Sequence, residues 1–290
     1  MAKKIKHYVY TKKRQPIYRF FTGFMSIFLH KPKIINHNDT IPTDGMLVGP
    51  HMGKWGPFYL SQHFPTKIAV IGAHPMLGSY KERWKYLRNV LYIQKQHRGK
   101  VFSTIKATFE AVFSKGMYKG MHVIPSYEDM RLLHTIHDTA GTIDNGLPVI
   151  IFPENSDLGY QRVLSQLHDG YIVINTFVNK KREKETPIYP FYVNVKRKIL
   201  VIGKPYYLSE LKGKTNSEIN KYTCDRINEL NPNLEEDKKL NPIISISSKK
   251  GTDWRPLVLS YASTLCSFFS FKSRMILSTK LMPANKKQKA

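Results

Sequence analysis

The stretch Ile150-Ile-Phe-Pro-Glu154-Asn-Ser-Asp157 joins a hydrophobic run to a carboxylate through a proline. The run has the composition of a buried strand, and Pro153 ends it because proline has no N–H to continue the hydrogen-bond ladder. Glu154 is thereby placed at the carboxyl end of a strand, where open α/β sheets bind their ligands. The stretch therefore predicts an α/β fold with Glu154 at its functional edge.

A second stretch, Met46-Leu-Val-Gly-Pro-His51-Met-Gly-Lys54-Trp-Gly56, follows the same plan. A short strand is followed by a glycine–proline break and then by a histidine at the start of a predicted helix. Two strand ends in one sheet can lie close in space, so His51 and Glu154 are candidates for a single site. The alternative is that His51 is an ordinary polar residue in a loop before a helix.

The middle of the chain alternates short β-type runs with helical ones. A capping-box pair, Thr215 and Glu218, predicts a further helix that ends near Leu230. Such alternation predicts an α/β sheet with helices packed on it, and we assign this domain to residues 36–231. The predicted strands are 46–48, 68–72, 148–152, 187–195 and 199–202, and the predicted helices are 82–90, 101–113, 129–143 and 164–178.

The two ends of the chain differ in composition from this domain. Residues 1–35 carry six cations in the first 14 positions and then aromatic residues at helical spacing. This pattern predicts an amphipathic helix that contacts a membrane, or else a helix packed on the domain. Residues 232–290 are predicted to form a C-terminal helical appendage with a basic tail, which is either a second membrane contact or a helix that completes the core.

The net charge limits the classes of partner. The chain has 46 Lys and Arg against 21 Asp and Glu, a formal charge of +25, which favours nucleic acid or anionic lipid. The sequence has no zinc knuckle, helix-turn-helix signature or RNA-recognition aromatics, so we do not expect nucleic acid as a partner. Its longest uncharged run, residues 256–271, is too short for a spanning helix, so no transmembrane segment is predicted.

Metal and cofactor motifs are missing from the sequence. Cys224 and Cys266 are far apart and have no metal-type spacing, and we expect reduced thiols. His134 and His137 have helical spacing but no third ligand, so they are interpreted as solvent-facing. The glycines form neither a P-loop nor a dinucleotide fingerprint. We therefore predict no metal and no cofactor.

Together these stretches resemble the glycerophosphate acyltransferase superfamily, which includes the 1-acylglycerol-3-phosphate acyltransferases. That family has four ordered blocks: His-x4-Asp, an arginine after a short strand, Phe-Pro-Glu-Gly-Thr-Arg, and Pro-hydrophobic-hydrophobic-Pro, often followed by an Ile-Gly-Lys-Pro turn. The resemblance covers residues 44–208 and implies a three-layer acyltransferase-like sheet. The matching residues are His51, Phe152, Pro153, Glu154, Pro187, Pro190, Gly203, Lys204 and Pro205.

The chain departs from the family in three of these blocks. Gly56 stands where the family has its aspartate, and Ser126 stands near the position of the second-block arginine, with Arg131 as a substitute five residues later. The third block continues as Asn155-Ser-Asp157 rather than Gly-Thr-Arg. An alternative is therefore a catalytically impaired acyltransferase-like protein that binds lipid or acts as a scaffold.

The resemblance also implies a reaction and a set of site residues. His51 would act as the general base and Glu154 would share the catalytic site, while Phe152 and Pro153 would line it. An acyl group would pass from acyl-CoA or an acyl carrier protein to the hydroxyl of a lysophospholipid such as lysophosphatidic acid. We expect a peripheral protein on the cytoplasmic, inner face of an anionic membrane. The candidate cations for the phosphate of the acceptor are Lys54, Arg131, Arg162 and Lys204.

Overall fold

The computed structural model describes residues 15–27, 29–53, 56–154, 160–240 and 243–244, with backbone alone at Tyr160, Ile243 and Ile244. The predictions for residues 1–14, for Lys54, for residues 155–159 and for residues 245–290, including Cys266, lie outside these ranges.

Nine strands are found in the described residues. Seven of them form one sheet, and β6 and β9 form a separate antiparallel pair. The strands are β1 (Lys33–Asn36), β2 (Met46–Val48), β3 (Ala69–Ala73), β4 (Val123–Ser126), β5 (Val149–Ile151), β6 (Tyr160–Gln161), β7 (Ile188–Asn194), β8 (Ile199–Ile202) and β9 (Ile243–Ile244).

Eight α-helices accompany these strands in the described part of the chain. A π-helix, Tyr86–Lys95, continues α3, and short 3₁₀ turns follow β3 and precede α7. The α-helices are α1 (Pro16–Met25), α2 (Gly56–His63), α3 (Tyr80–Lys85), α4 (Lys100–Gly120), α5 (Leu132–Asp144), α6 (Gly170–Arg182), α7 (Asn216–Glu229) and α8 (Leu234–Lys239).

The seven-stranded sheet is mostly parallel, in the order β1-β8-β7-β2-β5-β3-β4. The five strands from β7 to β4 run in one direction, whereas β8 is antiparallel to β7, and β1 follows β8. All residues of β2 and β5 are buried because helices cover both faces of the sheet. The α/β class predicted from the sequence is confirmed.

The two faces of the sheet have separate cores. Met46 and Val48 of β2 face a core that includes side chains of α5, α6 and α7. Leu47, between them, faces the opposite core, to which α1 and α2 contribute. A third, smaller core joins α4 to the π-helix and the turn after β3. Three layers result, with an additional helical unit between β3 and β4.

The predicted strands agree with the structure to within two residues at each end. Two strands of the sheet, β1 and β4, were not predicted. Neither β1 nor β4 resembles a central strand, because each forms an edge of the sheet. The residues of β1 are exposed or half-buried, so it has no clear hydrophobic pattern. Pro125 interrupts β4, which is tolerated only at an edge.

The helix predicted over 164–178 is wrong in its first six residues. Residues 164–169 are not helical, and α6 begins only at Gly170. The backbone N–H of His168 donates to the carbonyl of Pro153 at 2.8 Å, and Leu167 forms an antiparallel bridge with Glu154. Leu164 and Leu167 are buried with helix-like spacing, but tertiary pairing holds the segment extended. The other helices are found near their predicted positions, and the Thr215–Glu218 capping box is confirmed.

The N-terminal helix α1 packs on the domain. Tyr18 is buried and its hydroxyl lies 2.7 Å from the hydroxyl of Ser61 in α2, while Phe20 remains exposed. Close approach to α4 depends on two glycines of α4, Gly116 and Gly120, which lie against Ile17 and Tyr18. Packing on the domain is therefore observed, and contact with a membrane stays a prediction.

The predicted C-terminal appendage begins with α8, which is held to the domain. Asp237 in α8 is buried and forms an ion pair of 2.6 Å with Arg197, in the turn after β7. None of the helices in the described residues is both long enough and apolar enough to cross a bilayer.

The packing of α1 on α4 predicts opposite effects for two Gly→Ala substitutions. A Cβ at Gly120 would overlap the buried ring of Tyr18, so we expect Gly120→Ala to lower the free energy of unfolding by about 1–3 kcal/mol. Gly141, within α5, has open space around its Cα, so Gly141→Ala is expected to raise it by roughly 0.5–1 kcal/mol. Urea unfolding of both variants measures the difference. Equal effects would contradict the close contact of α1 with α4.

Candidate functional site

Four parallel strands end side by side along one edge of the sheet, which we call the carboxyl edge. In spatial order β2, β5, β3 and β4 deliver His51, Glu154, His74 and Ser126 at or just beyond their last residues. This is the position at which open α/β sheets bind ligands. The sequence therefore brings several polar side chains to one place from distant parts of the chain.

Glu154 ties two loops together at this edge. Its Oε2 accepts a hydrogen bond of 3.0 Å from the backbone N–H of His51, which is 103 residues away in sequence. Its Oε1 accepts one of 2.6 Å from the backbone N–H of Gln161. The predicted proximity of His51 and Glu154 is thus observed, but the contact is between carboxylate and backbone, which gives Glu154 a positioning role.

The environment of Glu154 opposes its charge. The side chain is buried, and this burial raises the pKa of Glu154 above its ordinary value, although its two backbone N–H partners act in the other direction. The hydrogen bonds to these backbone groups offset part of the cost of placing a carboxylate there.

The imidazole of His51 is oriented by its own loop. Its Nδ1 lies 2.8 Å from the carbonyl oxygen of Gly53. Because a carbonyl can only accept, Nδ1 carries the proton in the neutral ring and Nε2 holds the lone pair. The ring also packs edge-on against Phe152, at 5.0 Å between centroids, and Phe152 in turn contacts Phe191 at 6.0 Å.

The pKa of His51 is lowered to about 4, chiefly because the ring is desolvated and also because the charge of Lys95 lies nearby. The hydrogen bond to Gly53 acts in the opposite direction. The imidazole is therefore uncharged at neutral pH, which is the state in which it can accept a proton.

Lys95 is a residue of this site that the sequence analysis missed. It is the last residue of the π-helix, and its charge acts on His51 although 44 positions separate them in sequence. π-helical turns occur frequently at functional sites. The sequence signal was weak, because Lys95 belongs to the basic run Lys95-Gln-His-Arg98-Gly-Lys100 and nothing distinguishes it there.

His74 was also missed, although its signal was present. The run Ala69-Val-Ile-Gly-Ala-His74-Pro repeats the plan of the His51 stretch, a strand followed by a histidine and a turn residue. In the structure Nδ1 of His74 lies 3.2 Å from the carbonyl oxygen of Ser126, and its ring stacks on Tyr127 at 4.8 Å. His74 therefore occupies the same edge as His51, two strands away.

Arg131 is not placed where the sequence predicted. It makes hydrogen bonds of 2.6–2.9 Å with both carboxylate oxygens of Asp129 and lies over the ring of Tyr127. This pairing lowers the pKa of Asp129 to about 2. Arg131 follows β4, three strand spacings or roughly 14 Å from β2. It does not replace a phosphate-binding arginine beside His51.

Lys204 is at the wrong edge of the sheet for a contact with His51. It follows β8, which runs opposite to β2, and it lines an open pocket of about 470 Å³ with residues 37–44 and Tyr189. These residues precede β2 or begin β7, so the pocket lies toward the amino ends of the parallel strands. The prediction that Lys204 shares the acceptor phosphate with His51 is corrected, because the strand direction separates them.

The remaining candidates divide into two groups. Pro153 is buried beside Glu154, and Arg162 follows Gln161 directly, so both lie next to the site. The charge of Arg162 also acts on Asp237. Lys54 lies outside the described residues. Within those residues no three His, Cys, Asp or Glu side chains are grouped to hold a metal ion.

Gly56 leaves no space for a side chain. A Cβ at this position would overlap the backbone carbonyl oxygen of His51. The turn between them begins with positive φ angles at Met52 and Gly53, of 50° and 77°. The backbone N–H of Gly56 donates to the carbonyl of Gly53 at 3.2 Å and closes this turn. The turn that positions His51 therefore requires glycine at 56.

No protein-family model matches the chain, and no curated protein or solved structure matches it either. The geometry of the carboxyl edge is consequently the basis for a functional proposal.

An aspartate at position 56 is expected to disrupt the site. Because a Cβ there meets the carbonyl of His51, we expect Gly56→Asp to lower the free energy of unfolding by about 1–3 kcal/mol. Gly170→Asp is the matched control, because Gly170 has open space and begins α6, where a negative charge is favourable. Thermal unfolding of the two variants provides the comparison. A Gly56→Asp protein as stable as the control would show that the turn opens easily.

Proposed function

We propose that the protein is an acyltransferase that moves a fatty acyl group from an acyl thioester to the hydroxyl of a lysophospholipid. The observation that carries the proposal is the oriented, uncharged imidazole of His51 at the carboxyl edge, with its backbone held by Glu154. A three-layer acyltransferase-like sheet is part of the proposal, and it agrees with the α/β architecture.

In the proposed reaction, Nε2 of His51 removes the proton from the acceptor hydroxyl. The hydroxyl oxygen attacks the carbonyl carbon of the thioester at the same time. The tetrahedral intermediate then collapses, the carbon–sulfur bond breaks and an ester forms. The departing thiolate takes the proton from His51, which returns to its neutral state. His51 thus serves first as base and then as acid, and no other reactant is consumed.

The carbonyl of Gly53 takes over the orienting role that the resemblance assigns to an aspartate. It fixes the tautomer with Nε2 as the basic nitrogen. In serine proteases, loss of the orienting aspartate costs roughly 10⁴ in turnover, because the tautomer is wrong. Here the Gly53 carbonyl selects the correct tautomer. It stabilises the imidazolium less than an aspartate would, because a carbonyl carries no full charge. We therefore expect a slow enzyme.

Two cations support an anionic acceptor. The charge of Lys95 acts on His51, and Arg162 comes directly after Gln161, whose backbone N–H donates to Glu154. We propose that one or both of these cations bind the phosphate of a lysophosphatidic acid whose hydroxyl lies at Nε2 of His51. The acyl donor is proposed to be acyl-CoA or an acyl carrier protein. We further place the protein on the inner, cytoplasmic face of a membrane, because its net charge of +25 favours an anionic surface.

A second candidate function is binding of lysophospholipid without acyl transfer. Two observations favour it: Gly56 excludes a carboxylate from the usual position, and a histidine with a pKa of about 4 is a weak base. In this case His51 would be a hydrogen-bonding residue for the lipid rather than a catalyst.

Replacement of His51 is expected to slow acyl transfer strongly. We expect His51→Ala to lower the rate of transfer from a thioester to lysophosphatidic acid in anionic vesicles by at least about 100-fold, the usual contribution of a general base. His137→Ala is the control, because His137 is an exposed histidine on α5. Product is measured as labelled diacylated lipid.

The outcomes separate the two candidate functions. Equal rates for the parent and His51→Ala would contradict the proposed mechanism. A parent protein that retains lysolipid in vesicle pull-down but transfers nothing would support the binding function instead.

The pH dependence of kcat/KM is expected to reflect the lowered pKa of His51. A base with a pKa of about 4 is already deprotonated at pH 6, so activity should stay level between pH 6 and 8. It should fall only as the pH approaches 4, where the imidazole becomes protonated. An acidic limb centred near 6.5 that persists with a phosphodiester lysolipid, which does not titrate near pH 6, would show that the ring is solvated in the working enzyme.

A further inference from the structure

Helix α4 presents its large apolar residues to solvent. Val101, Ile105, Phe109 and Val112 are 76%, 56%, 63% and 54% exposed, and their spacing places them on one side of the helix. We call these four residues the α4 stripe. The side of α4 that faces the protein carries small residues instead: Ser103, Ala107, Ala111 and Ser114. This distribution is the reverse of that of an ordinary surface helix.

The α4 stripe continues the surface on which α1 packs. Gly116, one turn beyond Val112, lies against Ile17 of α1, which is itself partly exposed. The C-terminal part of this side of α4 is therefore covered by α1, and the stripe is its N-terminal part. Ile17 and Phe20 of α1 are also exposed and add to the apolar surface of the stripe. Grouped exposed apolar residues mark interaction sites.

Charge favours one kind of partner for this surface. Of the five cations of α1 and α4, Arg19, Lys100 and Lys119 are exposed. Lys106 pairs with Glu110, the single acid of the two helices, and Lys115 donates to the carbonyl of Gly78. The chain enters α1 directly from residues 1–14, which add six more cations in sequence. Apolar side chains flanked by cations fit the surface of an anionic bilayer, whose acyl chains and phosphate groups complement both.

We propose that the α4 stripe is a membrane-docking surface that inserts into the interface of an anionic lipid bilayer. α4 has 21 residues and five charged side chains, so it would lie parallel to the membrane plane rather than cross it. The buried side of the helix stays on the protein, and the stripe enters the boundary between head groups and acyl chains.

The stripe lies toward the carboxyl edge of the sheet. α4 returns the chain from the carboxyl edge, where β3 ends, to the start of β4, so its N-terminal half lies toward the carboxyl edge. The π-helix that ends in Lys95 packs on α4, and Lys106 contacts the ring of Tyr92 in that helix at 4.7 Å. Docking through the stripe would hold the carboxyl edge close to lipid head groups, but it requires no acyl transfer.

The test is binding of the full-length protein to vesicles in the absence of thioester. We expect Ile105→Ser/Phe109→Ser to bind vesicles of phosphatidylglycerol and phosphatidylcholine on the order of 30-fold more weakly than the parent, because two exposed apolar side chains are lost. Phe177→Ser/Leu240→Ser is the matched control, because both residues are comparably exposed and lie outside α1 and α4. It should bind as the parent does. Unchanged binding by the stripe variant would overturn the proposal.

A tryptophan probe reports insertion directly. Phe109→Trp is expected to show a blue-shifted emission only with anionic vesicles, and quenching by brominated acyl chains, relative to the parent protein. Phe177→Trp should show neither change. A blue shift of Phe109→Trp without vesicles would mean that another part of the chain covers the stripe. A concentration-dependent dimer that Ile105→Ser/Phe109→Ser abolishes would assign the stripe to self-association. Either result would overturn membrane docking.

Discussion

The geometry of the site depends on one carboxylate that accepts two backbone hydrogen bonds. Glu154 binds the N–H groups of His51 and Gln161, and so connects the end of β2 to the chain that leaves β5. The side chain is buried, so loss of either bond would leave a polar group unsatisfied, at a cost of about 1–3 kcal/mol. The same loop is paired a second time, by the bridge of Glu154 with Leu167. The direction of the His51 ring follows from this anchored backbone.

The loop after β2 orients His51 through a backbone carbonyl, and its geometry excludes a carboxylate at position 56. In this chain a tight turn with positive φ at Met52 and Gly53 brings a carbonyl oxygen to Nδ1 of His51. A carboxylate at position 56 would need a wider turn, because any Cβ there meets the carbonyl of His51. Glycine at position 56 is therefore part of a coherent local structure, in which the backbone supplies the acceptor for Nδ1 of His51.

The sequence predicted those features that local patterns encode. The apolar runs of β2 and β5, each ended by a turn residue, located the carboxyl edge and placed His51 beside Glu154. Prediction from the sequence failed for residues whose position depends on pairing between distant segments of the chain. Lys204 was misplaced because no local pattern reveals that β8 runs antiparallel to β7. Lys95 was missed because its position near His51 depends on the π-helix, which no local pattern revealed. Residues 164–169 stay extended because of tertiary hydrogen bonds.

Pro125 in β4 has a consequence for self-association. The N–H of Val70 bonds the carbonyl of His122, so by the alternation of a strand the backbone of Pro125 points away from β3, toward the open edge of the sheet. A proline there offers no donor to an incoming strand. At the other edge, β1 begins with the charged Lys33. Both edges thus resist the strand addition through which sheets polymerise, so a protein with an exposed apolar surface can remain dispersed at high local concentration.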